Sequence, residues 1–154
     1  MNFALTVVTL GVADLPRARA FYEQGLGLKP SADTGGDVAF YRCGPTVLAL
    51  YPRAGLLEDA CLPAERLGAP GRFDGVTLAC NCASTAEVDA LLARAVAAGA
   101  RLAKPGQQVF WGGYSGYFED PDGHLWEAAH NPAWGLDGRG GLILSDERAK
   151  EEGK

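Results

Sequence analysis

Two stretches of this 154-residue chain follow one plan, and an internal repeat fixes architecture before any single residue is interpreted. Val8-Thr9-Leu10 recurs as Val76-Thr77-Leu78, each time in a short β-rich run that leads into a helix with a recognisable start. In the first copy Asp14 caps a helix that carries Pro16 in its first turn, where a missing N–H forfeits no intrahelical bond. Leu15, Ala18, Phe21 and Tyr22 lie at three- and four-residue spacings, so the helix runs to about Gln24, and Gly25 and Gly27 stop it. In the second copy Ser84 and Glu87 form a capping box, Val88, Leu91, Leu92, Ala95 and Val96 make the buried stripe, and Gly99 ends the helix.

After each helix come short strands separated by Gly, Pro and Asp, the pattern of an antiparallel meander. The expected strands are 28–32, 37–43 and 46–51 in the first half, and 100–104, 113–119 and 125–129 in the second. Asp120-Pro121-Asp122-Gly123 makes the last turn. Each half thus reads βαβββ, and a sheet with one helix on its back leaves its other face needing cover. The expectation is an α+β fold of two tandem βαβββ modules whose curved mixed sheets face each other around a cavity. All of 1–154 forms one domain: module 1 over about 4–52, a linker over about 53–72, module 2 over about 73–132 and a C-terminal arm over about 133–154. A short helix is expected within the linker at 56–61, and the arm is expected to pack on the domain or on a partner chain.

A hydrophobic fraction of 47% is enough for a folded core. The net charge of −5 comes from signs mixed along the chain, and the absence of a Lys/Arg cluster argues against nucleic acid or an anionic membrane as partner. A small neutral or cationic ligand fits better. No apolar run approaches the roughly 20 residues that span a bilayer, and Met1-Asn2-Phe3-Ala4 opens no signal peptide, so a cytoplasmic location is expected. Cys43, Cys61, Cys80 and Cys82 follow no metal-knuckle or CxxC spacing and read as free thiols.

The run Leu10-Gly11-Val12-Ala13-Asp14-Leu15 through Phe21-Tyr22 and Gly25-Leu26-Gly27-Leu28 resembles the opening of the vicinal oxygen chelate superfamily of glyoxalases, bleomycin resistance proteins and extradiol dioxygenases. Phe118-Glu119-Asp120-Pro121-Asp122-Gly123-His124 through Glu127 resembles its closing strand-turn-strand, so the likeness covers roughly 5–132. Trp111-Gly112-Gly113-Tyr114-Ser115-Gly116-Tyr117-Phe118, with Trp126-Glu127 and Asn131-Pro132, looks like a glyoxalase-like subgroup. The resemblance implies the fold and leaves function open, because such families include isomerases, ring-cleaving dioxygenases, thiol transferases and proteins that only bind.

Metal-dependent relatives, by that resemblance, hold a divalent ion with His or Glu side chains at positions that map here onto Val7, Ala49, Gly75 and Glu127. Only Glu127 offers a ligand atom, and one carboxylate does not retain a divalent ion, so no metal and no other cofactor is expected. His124 and His130 are odd numbers of residues from Glu127, which on a straight strand turns them to the opposite face.

What remains is a cavity between sheets. Glu127 is the candidate catalytic residue, since a carboxylate that loses hydration in an apolar interior is poised as acid or base; the alternative is a structural glutamate paired with a tyrosine hydroxyl or water. The candidate ligand-binding residues are Thr9, Ala49, Tyr51, Thr77, Trp111, Tyr114 and Trp126, with Trp126 on the face opposite Glu127. The function expected is binding of a small organic molecule, with Glu127 as a possible acid or base and a homodimer as the assembly. The alternatives are a metal-dependent glyoxalase-type lyase or dioxygenase, and a non-catalytic assembly module.

Overall fold

A computed structural model of the chain describes residues 4–69, 72–144 and 147. Strand β1 (Val7–Val12) leads into helix α1 (Leu15–Arg19), where the Asp14 carboxylate accepts the Arg17 N–H at 2.9 Å as cap. The helix does not finish as an α-helix. From Ala20 to Gly25 it widens into a π-helical turn, closed by the Leu26 N–H donating to the Phe21 carbonyl, and this places Phe21 and Tyr22 side by side in the core.

β2 (Ala39–Cys43) and β3 (Thr46–Pro52) follow, then α2 (Arg53–Asp59), a 3-10 turn at Ala64–Arg66, and β4 (Leu78–Asn81). Helix α3 (Thr85–Ala97) starts with the expected capping box: Ser84 Oγ accepts the Glu87 N–H, and Glu87 reaches back to the Ala83 N–H. β5 (Arg101–Gln108), β6 (Tyr114–Glu119) and β7 (Leu125–His130) complete the second module, and β8 (Gly135–Leu136) pairs with β9 (Leu142–Ile143) as a hairpin in the arm.

The fold is mixed α+β, with two mixed sheets built alike. One has the order β1-β3-β2 and the other β4-β7-β6-β5; in each, the module's first strand pairs in parallel with its last. Each first strand is thus an outer strand. β1 and β4 lie beside each other across a seam, with residues of both lining common cavities.

Three expectations change. The strand expected at 28–32 is reduced to a single bridge between Pro30 and Tyr41, because Leu28 spends its N–H on the Tyr22 carbonyl and Pro30 has none. Of the repeated triplet Val76-Thr77-Leu78, only Leu78 lies in a strand. The linker helix begins earlier than 56–61, at Arg53, directly after β3. The arm beyond 144 lies outside the described residues apart from Glu147.

Helices α1 and α3 pack on one face of the sheets, while α2 lies against the end of the opposite face of the first sheet, beside Gly11 and Tyr51. Leu10, Val12, Leu48, Leu50, Ala39 and Tyr41 from the first sheet join Phe118 and Ala128 from the second, with Val88, Leu92 and Ala95 of α3, in one buried cluster. Aromatic rings stitch the halves: Phe21 to Phe118 with centroids at 6.5 Å, and Tyr22 to Trp126 at 6.1 Å. No helix among the described residues is long and apolar enough to cross a membrane.

Candidate functional site

Side chains alternate along a strand, so the core face fixes what lies opposite. With Leu10 and Val12 buried against helices, Val7, Thr9 and Gly11 turn the other way, paired with Val47, Ala49 and Tyr51. With Phe118, Trp126 and Ala128 on the helix side, Ser115, Tyr117, Glu127 and Ala129 take the helix-free face of the second sheet.

Glu127 therefore points away from the helices, half-buried, between Ala79 on β4 and Tyr117 on β6. Tyr117 is its direct cross-strand partner. Burial first, then a hydrogen bond to the Glu127 carboxylate and its charge, pushes the Tyr117 phenol up to about 12. The Lys104 ammonium lies 5.4 Å from the centre of the Tyr117 ring and 3.4 Å from Ser115 Oγ. Glu127, Tyr117, Lys104 and Ser115 thus form one polar group on this face, with the Arg101–Glu119 ion pair further along β6. Lys104 and Ser115 escaped the sequence reading, although the tight 120–123 turn sets the pairing that places Tyr117 and Ser115 on Glu127's side.

The other candidates separate into groups. Thr9 and Ala49 are paired on the face away from α1 and α3, Ala49 buried and Thr9 exposed. Tyr51 packs against Gly55 of α2, where a Cβ would lie 3.1 Å from its ring. Thr77 is exposed, its hydroxyl donating to the Leu125 carbonyl at 3.3 Å. Trp111 lies over Gly113 at the tip of the β5–β6 hairpin and is 41% exposed. Tyr114 turns to the helix side and donates to Asp89 of α3 at 2.9 Å, so the structure does not bring it to Glu127. Trp126 also lies on the helix side, stacked on Phe118 with ring planes 4° apart, its indole N–H donating to the Tyr22 hydroxyl.

The four mapped metal positions do not make a metal site. Val7 and Ala49 present hydrocarbon, Gly75 is a bend residue with φ of +79° and no side chain, and Glu127 is engaged with Tyr117. The histidines are occupied elsewhere: a ring nitrogen of His124 bonds the Gly11 carbonyl at 3.0 Å, and one of His130 bonds the Cys82 carbonyl at 3.0 Å. Among the described residues no three His, Cys, Asp or Glu side chains gather where an ion could sit. These residues do not fit the family's divalent ion.

Buried acids in the family's turn serve the fold. Asp120 accepts the Tyr22 hydroxyl at 2.6 Å and the N–H groups of Asp122 and His124, while burial pushes its carboxyl up from the usual range. Asp122 accepts the Ala13 N–H and the Arg17 guanidinium, bonding the second module's turn to the first module's helix entry.

Two cavities open along the β1–β4 seam. One of about 360 Å³ is lined by Thr9, Gly11, Val76, Glu119, His124 and Leu125. A larger one of about 530 Å³ lies on the helix side, with Trp126 and Phe118 in its wall and Leu136 and Leu142 at its roof. Glu127 lines neither.

The chain matches the family model of the Glyoxalase/Bleomycin resistance protein/Dioxygenase superfamily over residues 4–128. It belongs to that superfamily. Among solved structures it is similar to a glyoxalase-related enzyme from Fulvimarina pelagi, with 34% identity, a TM-score of 0.82, and coverage of 92% of this chain and 98% of that one. It is also similar to a glyoxalase/bleomycin resistance protein/dioxygenase from Nocardioides, with 26% identity, a TM-score of 0.69, and 84% of each chain covered. A third is a lactoylglutathione lyase from Agrobacterium tumefaciens, with 26% identity, a TM-score of 0.64, and coverage of 89% of this chain and 100% of that one. No curated protein sequence matches the chain.

Proposed function

We propose that this chain binds a small organic molecule on the helix-free face that carries Glu127, without the superfamily's metal, and that Glu127 moves a proton there. One observation carries the reading: a half-buried carboxylate and a phenol held protonated share this face, while the other three mapped ligand positions have no donor atom. Glu127 can take a proton from a ligand carbon or hydroxyl. Tyr117, whose phenol O–H already donates to the Glu127 carboxylate, holds that base in place, and the Lys104 ammonium over its ring supplies the positive field for the oxygen where negative charge then develops. That set suits proton transfer next to a carbonyl, an isomerase- or lyase-like step with no metal.

A homodimer fits the same face. Val7, Phe73 and Val76 are exposed apolar side chains on or beside β1 and β4, and a second copy would cover them and close the open face over its ligand. The lyase named for the Agrobacterium tumefaciens structure suggests the alternative of glyoxalase-type lyase chemistry, whose metal-dependent form the residues Val7, Ala49 and Gly75 oppose.

The test is a paired measurement on wild type and Glu127→Gln: thermal stability, and affinity or turnover for a ligand found by screening carbonyl compounds. The expected result is a loss of binding or turnover of at least about tenfold with little change in melting temperature. Unchanged affinity with a large drop in melting temperature would make Glu127 structural and overturn the reading.

A further inference from the structure

The 530 Å³ cavity on the helix side of the seam is separate from the Glu127 face and has its own chemistry. Its walls are Val8 and Leu48 from the first sheet, Leu78, Phe118 and Trp126 from the second, and Leu91 from α3. Among the described residues no Asp, Glu, Lys, Arg or His lines it. An ion placed there would lose its hydration and meet no counter-charge, so the cavity selects neutral molecules.

The polar atoms in the wall are mostly engaged already. The Tyr22 hydroxyl gives its proton to Asp120 and accepts the Trp126 indole N–H, so neither ring asks for a polar ligand group. Burial pushes the Cys80 thiol up to about 11, which keeps it uncharged at neutral pH. Asn81 and Thr46 are the other amide and hydroxyl side chains in the lining, enough to orient a single hydroxyl or carbonyl. Trp126 and Phe118 are stacked nearly coplanar, 4° apart with centroids at 6.3 Å, and the outer ring offers a flat apolar surface to a second flat molecule.

Protein interiors close such space, because every unmatched wall atom forfeits dispersion contacts. Here the chain roofs it instead. The arm leaves β7, forms the β8–β9 hairpin, sets Leu136 against Leu142, and lands on the β2–β3 turn at Gly44. A Cβ on Gly44 would sit 3.1 Å from the Arg139 carbonyl oxygen, and its φ of +58° is one that side chains resist. The landing is therefore a close backbone fit, and the hairpin is held over the mouth by it.

We infer that this seam cavity is a second ligand site, one that takes a neutral, flat, largely apolar molecule of one or two rings beneath the C-terminal hairpin. A volume of about 530 Å³ falls in the range of small-molecule pockets.

Prodan, a neutral naphthalene-based fluorophore of two fused rings that accepts energy from tryptophan, is a direct probe. In a Trp111→Phe/Trp134→Phe background the only remaining donor is Trp126, in the wall itself. Saturable energy transfer from Trp126 is expected, displaced by neutral naphthalene and not by 1-naphthalenesulfonate. Leu142→Asp puts a charge at the roof on a side chain that is already 37% exposed, so folding is not at risk, and it should weaken the probe at least tenfold. Cys80→Phe fills the cavity and should do the same, with circular dichroism confirming the fold, whereas Glu127→Gln should leave probe affinity unchanged. Absence of saturable transfer, equal displacement by the sulfonate, or unchanged affinity in a folded Leu142→Asp protein would each overturn the proposal. So would probe binding that is lost on dilution in step with a dimer-to-monomer transition, which would place the probe between subunits.

Discussion

The Tyr22 hydroxyl and the Asp120 carboxylate, 98 residues apart, meet at 2.6 Å inside the core, the tyrosine donating from the first module's helix to the second module's turn. Both groups are almost fully buried, and the same hydroxyl accepts the Trp126 N–H. Tyr22→Phe keeps the ring and strands a buried carboxylate oxygen and an indole N–H together. The expected loss is about 2 to 3 kcal/mol in chemical denaturation, because a buried polar group left unpaired forfeits its hydration without return. A loss below about 0.5 kcal/mol would mean that water replaces the hydroxyl.

Tyr117 should be visible by its titration. Its folded pKa of about 12 lies above the ordinary phenol value of 10, so the folded state favours the neutral phenol. The stabilisation is complete below pH 10 and is lost as pH rises through 12. In Glu127→Gln the charge that repels a phenolate is gone, and the difference in absorbance at alkaline pH between wild type and variant should show one tyrosine moving down toward 10. Superimposable titration curves would separate Tyr117 from Glu127.

Protein purified without chelator should carry no stoichiometric zinc, nickel, iron or manganese. Three of the four positions that would ligate the ion have no donor atom, and the fourth is one carboxylate. Elemental analysis checks this directly, and close to one bound equivalent per chain would require ligands that the mapped positions do not supply.

All four cysteines are free thiols, and their surroundings differ. Thiol titration of denatured, unreduced protein should find four. In the native protein exposed Cys61 should react early, and Cys80, whose pKa burial pushes up to about 11, should react last. Rapid modification of Cys80 would show that the seam cavity opens widely to solvent.

Gly44→Ala tests the landing of the arm. A φ of +58° and a backbone carbonyl 3.1 Å from the new Cβ should together cost about 1 to 3 kcal/mol and make the β8–β9 hairpin more open to proteolysis. Resistance equal to wild type would show that the hairpin is held by other contacts.

Much of the fold was legible in local pattern. The capping box at Ser84 and Glu87, the β6–β7 turn and the strand parity that sets Trp126 opposite Glu127 depend on neighbours in sequence, and each is found as read. The strand at 28–32 was misread because its apolar residues outweighed the donor missing at Pro30. The candidate site was legible only in part. Glu127 lies opposite Trp126 as alternation requires but lines neither seam cavity, and Lys104 reaches the Tyr117 ring through an irregular stretch of β5 that no alternation rule predicts. Tyr114 was a candidate beside Trp111, but alternation along 114–118 sends Tyr114 to α3 and Tyr117 to Glu127. The seam cavity was invisible, because Val8, Leu48, Leu78, Trp126 and Leu142 meet only after both sheets and the arm are in place.

Among the described residues, Asp122's grip on Ala13 and Arg17 has no counterpart in the other half. The corresponding turn of the first module, at Gly44, holds the C-terminal hairpin instead. A duplicated ancestor begins with interchangeable halves, and here equivalent corners have been given different tasks. Neither half can stand in for the other: two copies of the first would leave each helix entry without its carboxylate, and two copies of the second would leave the arm nowhere to land. The two halves are therefore not interchangeable: what suits one corner cannot be copied to the other, and the joint between them depends on both.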